Sequence, residues 1–211
     1  MIKILAGIVL YNPEIERLIK EIESVKDQVD EICLYNNGSP NLDEIKKGIY
    51  GMNLTVLNNT NNMGIGYALN RIFEYAKERG YSWVLTLDHD TICPHNLIFH
   101  YKKYINIIDL GMLCPSIVDK KIASNAWQGN KSLELEKIER CIQSGALVNV
   151  EMWDRIGGFD EWMFIDFVDF DFCTRLKINN YNIYRCNNVT IDHQLGNREE
   201  TRLAPLFRRL Y

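Results

Sequence analysis

No stretch of this 211-residue chain approaches the ~20 consecutive apolar residues that a membrane-spanning helix needs. No Cys-x-x-Cys pair occurs, so the six cysteines (Cys33, Cys93, Cys114, Cys141, Cys173 and Cys186) outline neither a zinc site nor a dithiol motif. Several lie in apolar stretches and read as reduced, mostly buried thiols of a cytosolic protein rather than a disulfide framework. Excess positive charge is missing as well. A formal net charge of -4 argues against a general nucleic-acid binder, which needs a dominant basic face. No repeat, low-complexity tract or clear linker divides the chain, and its length suits one domain with a sizeable core. The apolar start, Met1 to Leu10, lacks a convincing basic region and runs straight into Tyr11-Asn12-Pro13 and a charged helix. It reads as a first core strand, not a signal peptide.

What is present is an alternation. Residues 2–10 form a nearly continuous apolar run, as in a parallel strand covered on both faces. Asn12-Pro13-Glu14 supplies a helix start, and Ile15, Leu18, Ile19, Ile22 and Val25 recur at helical spacing. Strands follow at 31–35, 54–57 and 81–87, with helices at 42–50 and after Gly66. This β-α-β-α-β-α-β order predicts a doubly wound sheet. Beyond Asp90 the pattern is mixed. A helix is expected over 96–108, strands over 111–118 and 143–150, and a short helix over 151–156. Helical propensity returns over 167–178, and short strands close the pattern at 182–186 and 189–191.

Three constellations carry chemistry. The first is Asp88-His89-Asp90, directly behind the strand at 81–87. Ligands of open α/β sheets bind at the carboxyl ends of strands, and hard carboxylate oxygens there suit Mg²⁺ or Mn²⁺ beside a nucleotide diphosphate. The second is the aromatic-rich segment Phe164-Ile-Asp-Phe-Val-Asp-Phe-Asp171. Carboxylates among apolar rings are costly unless paired, metal-bound or protonated. Asp171 has a helical partner four residues on, Arg175. Asp169 has no such local partner and shares a helix face with Asp166; a desolvated carboxylate of this kind suits a general base. The third is His193, whose imidazole can complete a manganese site. The turn Gly64-Ile65-Gly66 is a poor dinucleotide fingerprint, because it follows the third strand and the second strand ends in Asn36. It reads either as a helix-capping loop or as a polar loop near a nucleotide.

Taken together, these segments resemble the inverting family-2 glycosyltransferases of GT-A fold, and within them the bacterial rhamnosyltransferase branch. The matching pieces are Val9-Leu-Tyr-Asn-Pro13, Asn36-Asn-Gly-Ser39, Asn62-Met-Gly-Ile-Gly-Tyr-Ala-Leu-Asn70 and Leu87-Asp-His-Asp-Thr91. They continue in family order with Gln143-Ser-Gly-Ala-Leu147, Gly157-Gly-Phe-Asp160, Phe164-Ile-Asp-Phe-Val-Asp169 and His193-Gln-Leu-Gly196. The resemblance implies one GT-A domain with a mixed, mostly parallel sheet flanked by helices. Its nucleotide-sugar-binding half is residues 1–91, and its acceptor and catalytic half is 92–211. It implies Asp90 and His193 as ligands of Mn²⁺ or Mg²⁺. Tyr11, Asn36, Asn62, Gly64, Asn70, Asp88 and His89 are implied on the nucleotide sugar, and Ser144 and Gly145 on the acceptor. Asp169 is implied as the base, with Asp166 as the alternative. The donor would be dTDP-rhamnose or a UDP-sugar, and the acceptor a saccharide or lipid-linked saccharide of a surface polysaccharide.

The chain departs from the family pattern in places. Val168 stands where the family carries the first acid of its Glu-Asp signature. Asn36 stands where an Asp usually receives the N–H of a pyrimidine base, and an amide carbonyl accepts without charge assistance. Relatives often carry more sequence after the His-x-x-Gly element. Arg198, Arg202, Arg208 and Arg209 make the tail basic, as either a solvated helix or a contact for an anionic membrane surface. Two other classes stay open from the residues: a nucleotidyltransferase, and a non-catalytic nucleotide-sugar-binding subunit.

Overall fold

The computed structural model describes residues 2–118 and 132–192. His193, the Gln194–Gly196 segment and the arginine-bearing tail lie outside the described residues.

The first strand, β1 (Ile4–Leu10), is buried along its whole length. Its alternate side chains serve two different cores. Ile4, Ala6, Ile8 and Leu10 pack with helix α1 (Ile15–Val25), whereas Leu5 and Val9 pack with helix α3 (Ile65–Glu78). A strand covered on both faces must be apolar at every position, which is why residues 2–10 show no polar alternation. Strands β2 (Glu31–Asn37), β3 (Thr55–Asn59) and β4 (Trp83–Asp88) extend the parallel arrangement around β1. Helix α2 (Leu42–Gly48) connects β2 to β3 and adds Ile45 to the first core.

The second half is mixed. Helix α4 (Leu97–Tyr101) is followed by β5 (Leu110–Val118), β6 (Leu135–Ile138) and β7 (Ala146–Asn149). Then come helices α5 (Val150–Arg155) and α6 (Val168–Ile178) and strand β8 (Asn182–Asp192). Among the described residues the sheet has eight strands, in the order β3-β2-β1-β4-β7-β5-β8-β6. Strand β7 runs antiparallel between β4 and β5, while β5 and β8 are parallel. The expected mixed, mostly parallel sheet flanked by helices is therefore the one observed.

Three elements differ from the sequence reading. The helix expected over 96–108 is short. Beyond Tyr101 the chain closes i to i+3 bonds, such as Tyr104 N–H to Tyr101 O and Ile107 N–H to Tyr104 O, so it proceeds by tight turns. The two strands expected at 182–186 and 189–191 are one strand. Its register against β5 jumps from Pro115–Cys186 to Ser116–Thr190, so an irregularity absorbs the intervening residues. Strand β6 gave no apolar signal because it is a half-buried edge strand, Leu-Glu-Lys-Ile, paired among the described residues only to β8.

All six cysteines are buried free thiols. Among the described residues no helix is long and apolar enough to cross a membrane.

Candidate active site

A cleft of about 470 Å³ opens at the carboxyl ends of β1, β2 and β4. The first half of the chain contributes Val9 and Tyr11 from the end of β1, Asn37 from β2, Asn62, Gly64 and Ile65 from the loop into α3, and the triplet Asp88-His89-Asp90. The second half contributes Ile142, Gln143, Ser144, Phe164, Ile165 and Asp169. The strand-end triplet and the downstream acid, 79 or more residues apart in sequence, thus line one cavity.

The inserted β7 explains how the halves meet. It pairs with β4 through Thr86–Ala146, which brings the loop before it against the end of β4. The Thr86 hydroxyl donates to the Gln143 carbonyl at 2.6 Å, and Gly145 N–H donates to the Thr86 carbonyl at 2.9 Å. Below the triplet, Thr91 N–H closes a turn onto the Asp88 carbonyl at 3.1 Å. The Thr91 and Ser144 hydroxyls share a buried hydrogen bond of 2.5 Å.

Asp169 stands in the first turn of α6. Phe167, just before that helix, is held left-handed at φ 67°, a conformation costly for a side chain with a Cβ and often found where function demands a sharp turn. Burial raises the Asp169 carboxyl to about 7, the Asp88 charge adds to this, and a hydrogen bond with the Gln143 backbone opposes it. The carboxyl is therefore poised between acid and base near neutral pH. Val168, at the position of the absent family acid, is 1% exposed and packs in the core with Phe172 and Cys173. An acid there would be buried among apolar groups.

Several expected contacts are placed elsewhere by the fold. Asp166 is exposed, precedes α6 and does not line the cleft, so it shares no helix face with Asp169. Asn36 is fully buried. Its amide donates to Asn58 Oδ1 at 2.7 Å and its carbonyl accepts from Ser39 N–H at 3.1 Å, so both ends of the amide are engaged within the protein. Its neighbour Asn37, which the sequence reading passed over, lines the cleft instead and organises the loop. Asn37 Nδ2 donates to Asn62 Oδ1 at 2.9 Å, and its carbonyl accepts from Met63 N–H at 3.0 Å. The Asn-Asn pair at the end of β2 was the available signal, since successive strand residues point to opposite faces.

Asn70 is also removed from the cleft. Its amide donates to Phe159 O and to Glu161 Oε1, and its carbonyl accepts from Phe159 N–H at 2.8 Å and Trp153 Nε1 at 3.1 Å. It fastens α3 to the Gly-Gly-Phe-Asp turn, whose Phe159 ring stacks on Phe172 at 4.2 Å. Gly145 is a buried turn residue at φ 78°. A Cβ there would meet Ile191 Cδ1, so the residue has a packing role in this turn. Tyr11, Asn62, Gly64, Asp88, His89, Asp90 and Ser144 do line the cleft, Ser144 with its hydroxyl engaged by Thr91. The anticipated Asp171–Arg175 pair forms at 2.7 Å, and Arg175 also donates to the Gly158 carbonyl at 2.6 Å.

The turn Gly64-Ile65-Gly66 has a structural explanation. Ile65 N–H, at the start of α3, donates to the Phe164 carbonyl at 2.7 Å. A Cβ on Gly66 would lie 2.7 Å from the Asp160 carbonyl oxygen. The glycines let the 160–164 segment press onto the helix start.

Residues 6–184 match the model of glycosyl transferase family 2. The chain belongs to this family. It is therefore a glycosyltransferase, which displaces the nucleotidyltransferase alternative. It is 24% identical over 209 residues to the dTDP-rhamnosyl transferase RfbF of Shigella flexneri, covering 92% of this chain and 70% of that protein. Two solved structures share the fold. GalNAc-T7 with UDP, GalNAc and Mn²⁺ has a TM-score of 0.74 at 14% identity, and S. aureus TarS 1-349 has 0.67 at 16%. Each likeness covers 92% of this glycosyltransferase, which spans only 44% and 60% of those two chains. The GT-A fold implied by the motifs is the fold observed.

The donor set suits a hard divalent cation. Among the described residues no group of three or more His, Cys, Asp or Glu side chains is placed to hold a metal. Asp88 and Asp90 nevertheless give the cleft two carboxylates. Mg²⁺ beside a phosphorylated ligand takes one or two protein carboxylates, with phosphate and water supplying the rest. The pair fits that demand; His193 lies outside the described residues.

Proposed function

We infer that this glycosyltransferase moves a sugar, L-rhamnose from dTDP-rhamnose or a related sugar from a UDP donor, onto a saccharide or lipid-linked saccharide with inversion. In this reading residues 1–91 hold the donor, and residues 92–211 supply the base and the acceptor side. The observation that carries it is the placement of Asp169, with its carboxyl raised to about 7, in the same cleft as Asp88 and Asp90. The similarity to a dTDP-rhamnosyl transferase supports the choice of donor.

Asp88 and Asp90 orient the diphosphate end of the donor. Asp90, with His193 as a further ligand, would hold a divalent cation, which would supply charge neutralisation at the leaving diphosphate. Asp169 accepts the proton of the attacking acceptor hydroxyl, and displacement from the face opposite the diphosphate inverts the anomeric centre. Tyr11, Asn62 and His89 border the donor. Phe164 and Ile165, exposed and lining the cleft beside Asp169, border the approach of the acceptor.

The test is a thermal-shift panel of nucleotide sugars with and without Mn²⁺, followed by NMR of the product anomer. Stabilisation by dTDP-rhamnose only with Mn²⁺ is expected, because a ligand bound to the native state raises its stability by mass action. A donor bound equally well under exhaustive chelation would refute the metal role, and a retained anomeric configuration would refute the single displacement.

A further inference from the structure

Helix α1 turns an unusual polar face toward the segment that carries the strand-end acids. Arg17, Glu21 and Ser24 recur at i, i+4 and i+7, which places them on one side of the helix; Gln28 follows in the succeeding turn. Three of these four grip consecutive points of the chain after β4. Arg17 Nη2 and Nε donate to the Asp90 backbone carbonyl at 2.6 and 2.9 Å. The Ser24 hydroxyl accepts from Cys93 N–H at 3.2 Å. Gln28 donates to the Pro94 carbonyl at 3.0 Å and accepts from Ile98 N–H at 3.2 Å. Glu21 is fully buried within the stripe, and neither of its carboxyl oxygens has a hydrogen-bond partner among the described residues.

The first grip differs from the others in what it holds. Ser24 and Gln28 tie down residues that do not line the cleft, whereas Arg17 takes the main chain of a cleft residue. The guanidinium is a rigid planar fork, so two bonds to one oxygen restrict both the distance and the direction of the carbonyl. Together with the Thr91 N–H bond to Asp88 O and the Thr91–Ser144 bond, it brackets Asp90 from both sides. Groups that orient a metal ligand commonly influence affinity 10–100-fold without touching the ion.

We propose that Arg17 is a positioning residue for Asp90, setting the affinity of the cleft for a divalent cation and a nucleoside diphosphate through the Asp90 main chain. This rests on the reading of Asp90 as a cation-facing carboxylate. Arg17 is not among the residues that line the cleft, so its replacement is expected to alter how the diphosphate end is held and to leave the proton transfer at Asp169 in place.

The experiment measures Mn²⁺ binding by electron paramagnetic resonance and dTDP binding by calorimetry in Mn²⁺. The proteins are the intact chain and its Arg17→Ala, Arg17→Lys and Gln28→Ala variants, each also melted thermally. Arg17→Ala is expected to weaken Mn²⁺ binding in the presence of dTDP by about 10–100-fold. Arg17→Lys, with a point charge but no fork, should fall between it and the parent. Gln28→Ala removes the bonds to Pro94 and Ile98, which tie down the same segment after β4 away from Asp90, and should lower the melting temperature at least as much while keeping Mn²⁺ affinity. Unchanged or tighter Mn²⁺ binding in Arg17→Ala, with normal binding by the parent, overturns the proposal and spares the reading of Asp90. Failure of the parent itself to bind Mn²⁺ with dTDP overturns both.

Discussion

Gly64 and Phe164 meet backbone to backbone: at φ 89° Gly64 brings its α-carbon so close that a Cβ would stand 2.6 Å from the Phe164 carbonyl oxygen. This contact joins the loop into α3 to the loop before α6, two borders of the same cleft. At φ 89° and ψ 168° the backbone lies in a region essentially reserved for glycine, at a cost to other residues of about 1–3 kcal/mol, and the steric conflict here is with backbone. Gly64→Ala is expected to lower stability by at least that amount and to reduce kcat/KM, because the cleft loses the register of its two loops. Thermal denaturation and steady-state kinetics check both effects. An alanine variant with the parent's melting temperature would show that the contact opens without cost.

Asp169 gives a sharp kinetic prediction. Asp169→Asn keeps the size of the side chain and removes the base, so kcat should fall by about 10²–10⁴-fold while donor affinity by calorimetry stays the same. Full activity in this variant would exclude Asp169 as the base.

The pH dependence follows from the same carboxyl. The base acts only when ionised, and burial and the Asp88 charge raise it to about 7. The kcat/KM of the parent should therefore fall on the acid side of about pH 7, since this ratio reports groups of the free enzyme. Asp88→Asn removes one raising influence, so its acid limb should lie at lower pH even where overall activity is reduced. A limb unmoved by Asp88→Asn would separate the two carboxyls electrostatically.

Asn70 separates a packing role from a substrate role. Its four internal hydrogen bonds predict that Asn70→Ala leaves buried donors and acceptors on Phe159 and Trp153 unpaired, at roughly 1–3 kcal/mol. The expected result is a lowered melting temperature with donor KM little changed. The opposite pattern, a raised KM at constant stability, would return Asn70 to the nucleotide sugar.

Glu21 predicts a pH-dependent stability. Burial, then the charges of Asp88 and Asp90, raise its carboxyl well above the usual 4.5, and Arg17 opposes this. The native state therefore holds a proton that the unfolded chain releases as pH rises past about 4.5, and stability declines from there toward the raised native value. Glu21→Met, apolar and similar in volume, removes this dependence. It should gain stability over the parent by about 1–3 kcal/mol at pH 8, where an unpaired buried carboxyl is most costly, and much less at pH 5. Equal melting curves at both pH values would show that Glu21 finds partners on ionisation.

Local patterns carried much of this. The unbroken apolar run of β1 announced a strand covered on two faces, and the 3.6-residue spacing of Ile15, Leu18, Ile22 and Val25 announced α1, because burial on a regular element imposes its period on the sequence. The strand–acid junction at Asp88 and Asp90 was equally legible, since it depends on neighbours along the chain. Strand β6 was not, because an edge strand with one partner needs no apolar period. Asn36 and Asn37 could not be told apart by pattern. Both are buried polar residues at a strand end, and only their partners, Asn58 and Ser39 for one and Asn62 and Met63 for the other, decide which borders the cleft.

By itself the sequence determined the doubly wound first half, the acids at the end of β4 and the ordered motifs that the family shares, because each is written in adjacent residues. Tertiary structure alone decided that Asp169 rather than Asp166 enters the cleft, that Asn70 and Gly145 serve packing, and that Arg17 reaches Asp90. These outcomes depend on the antiparallel insertion of β7 and on where α6 begins. Both are set by long-range packing that no local spacing encodes.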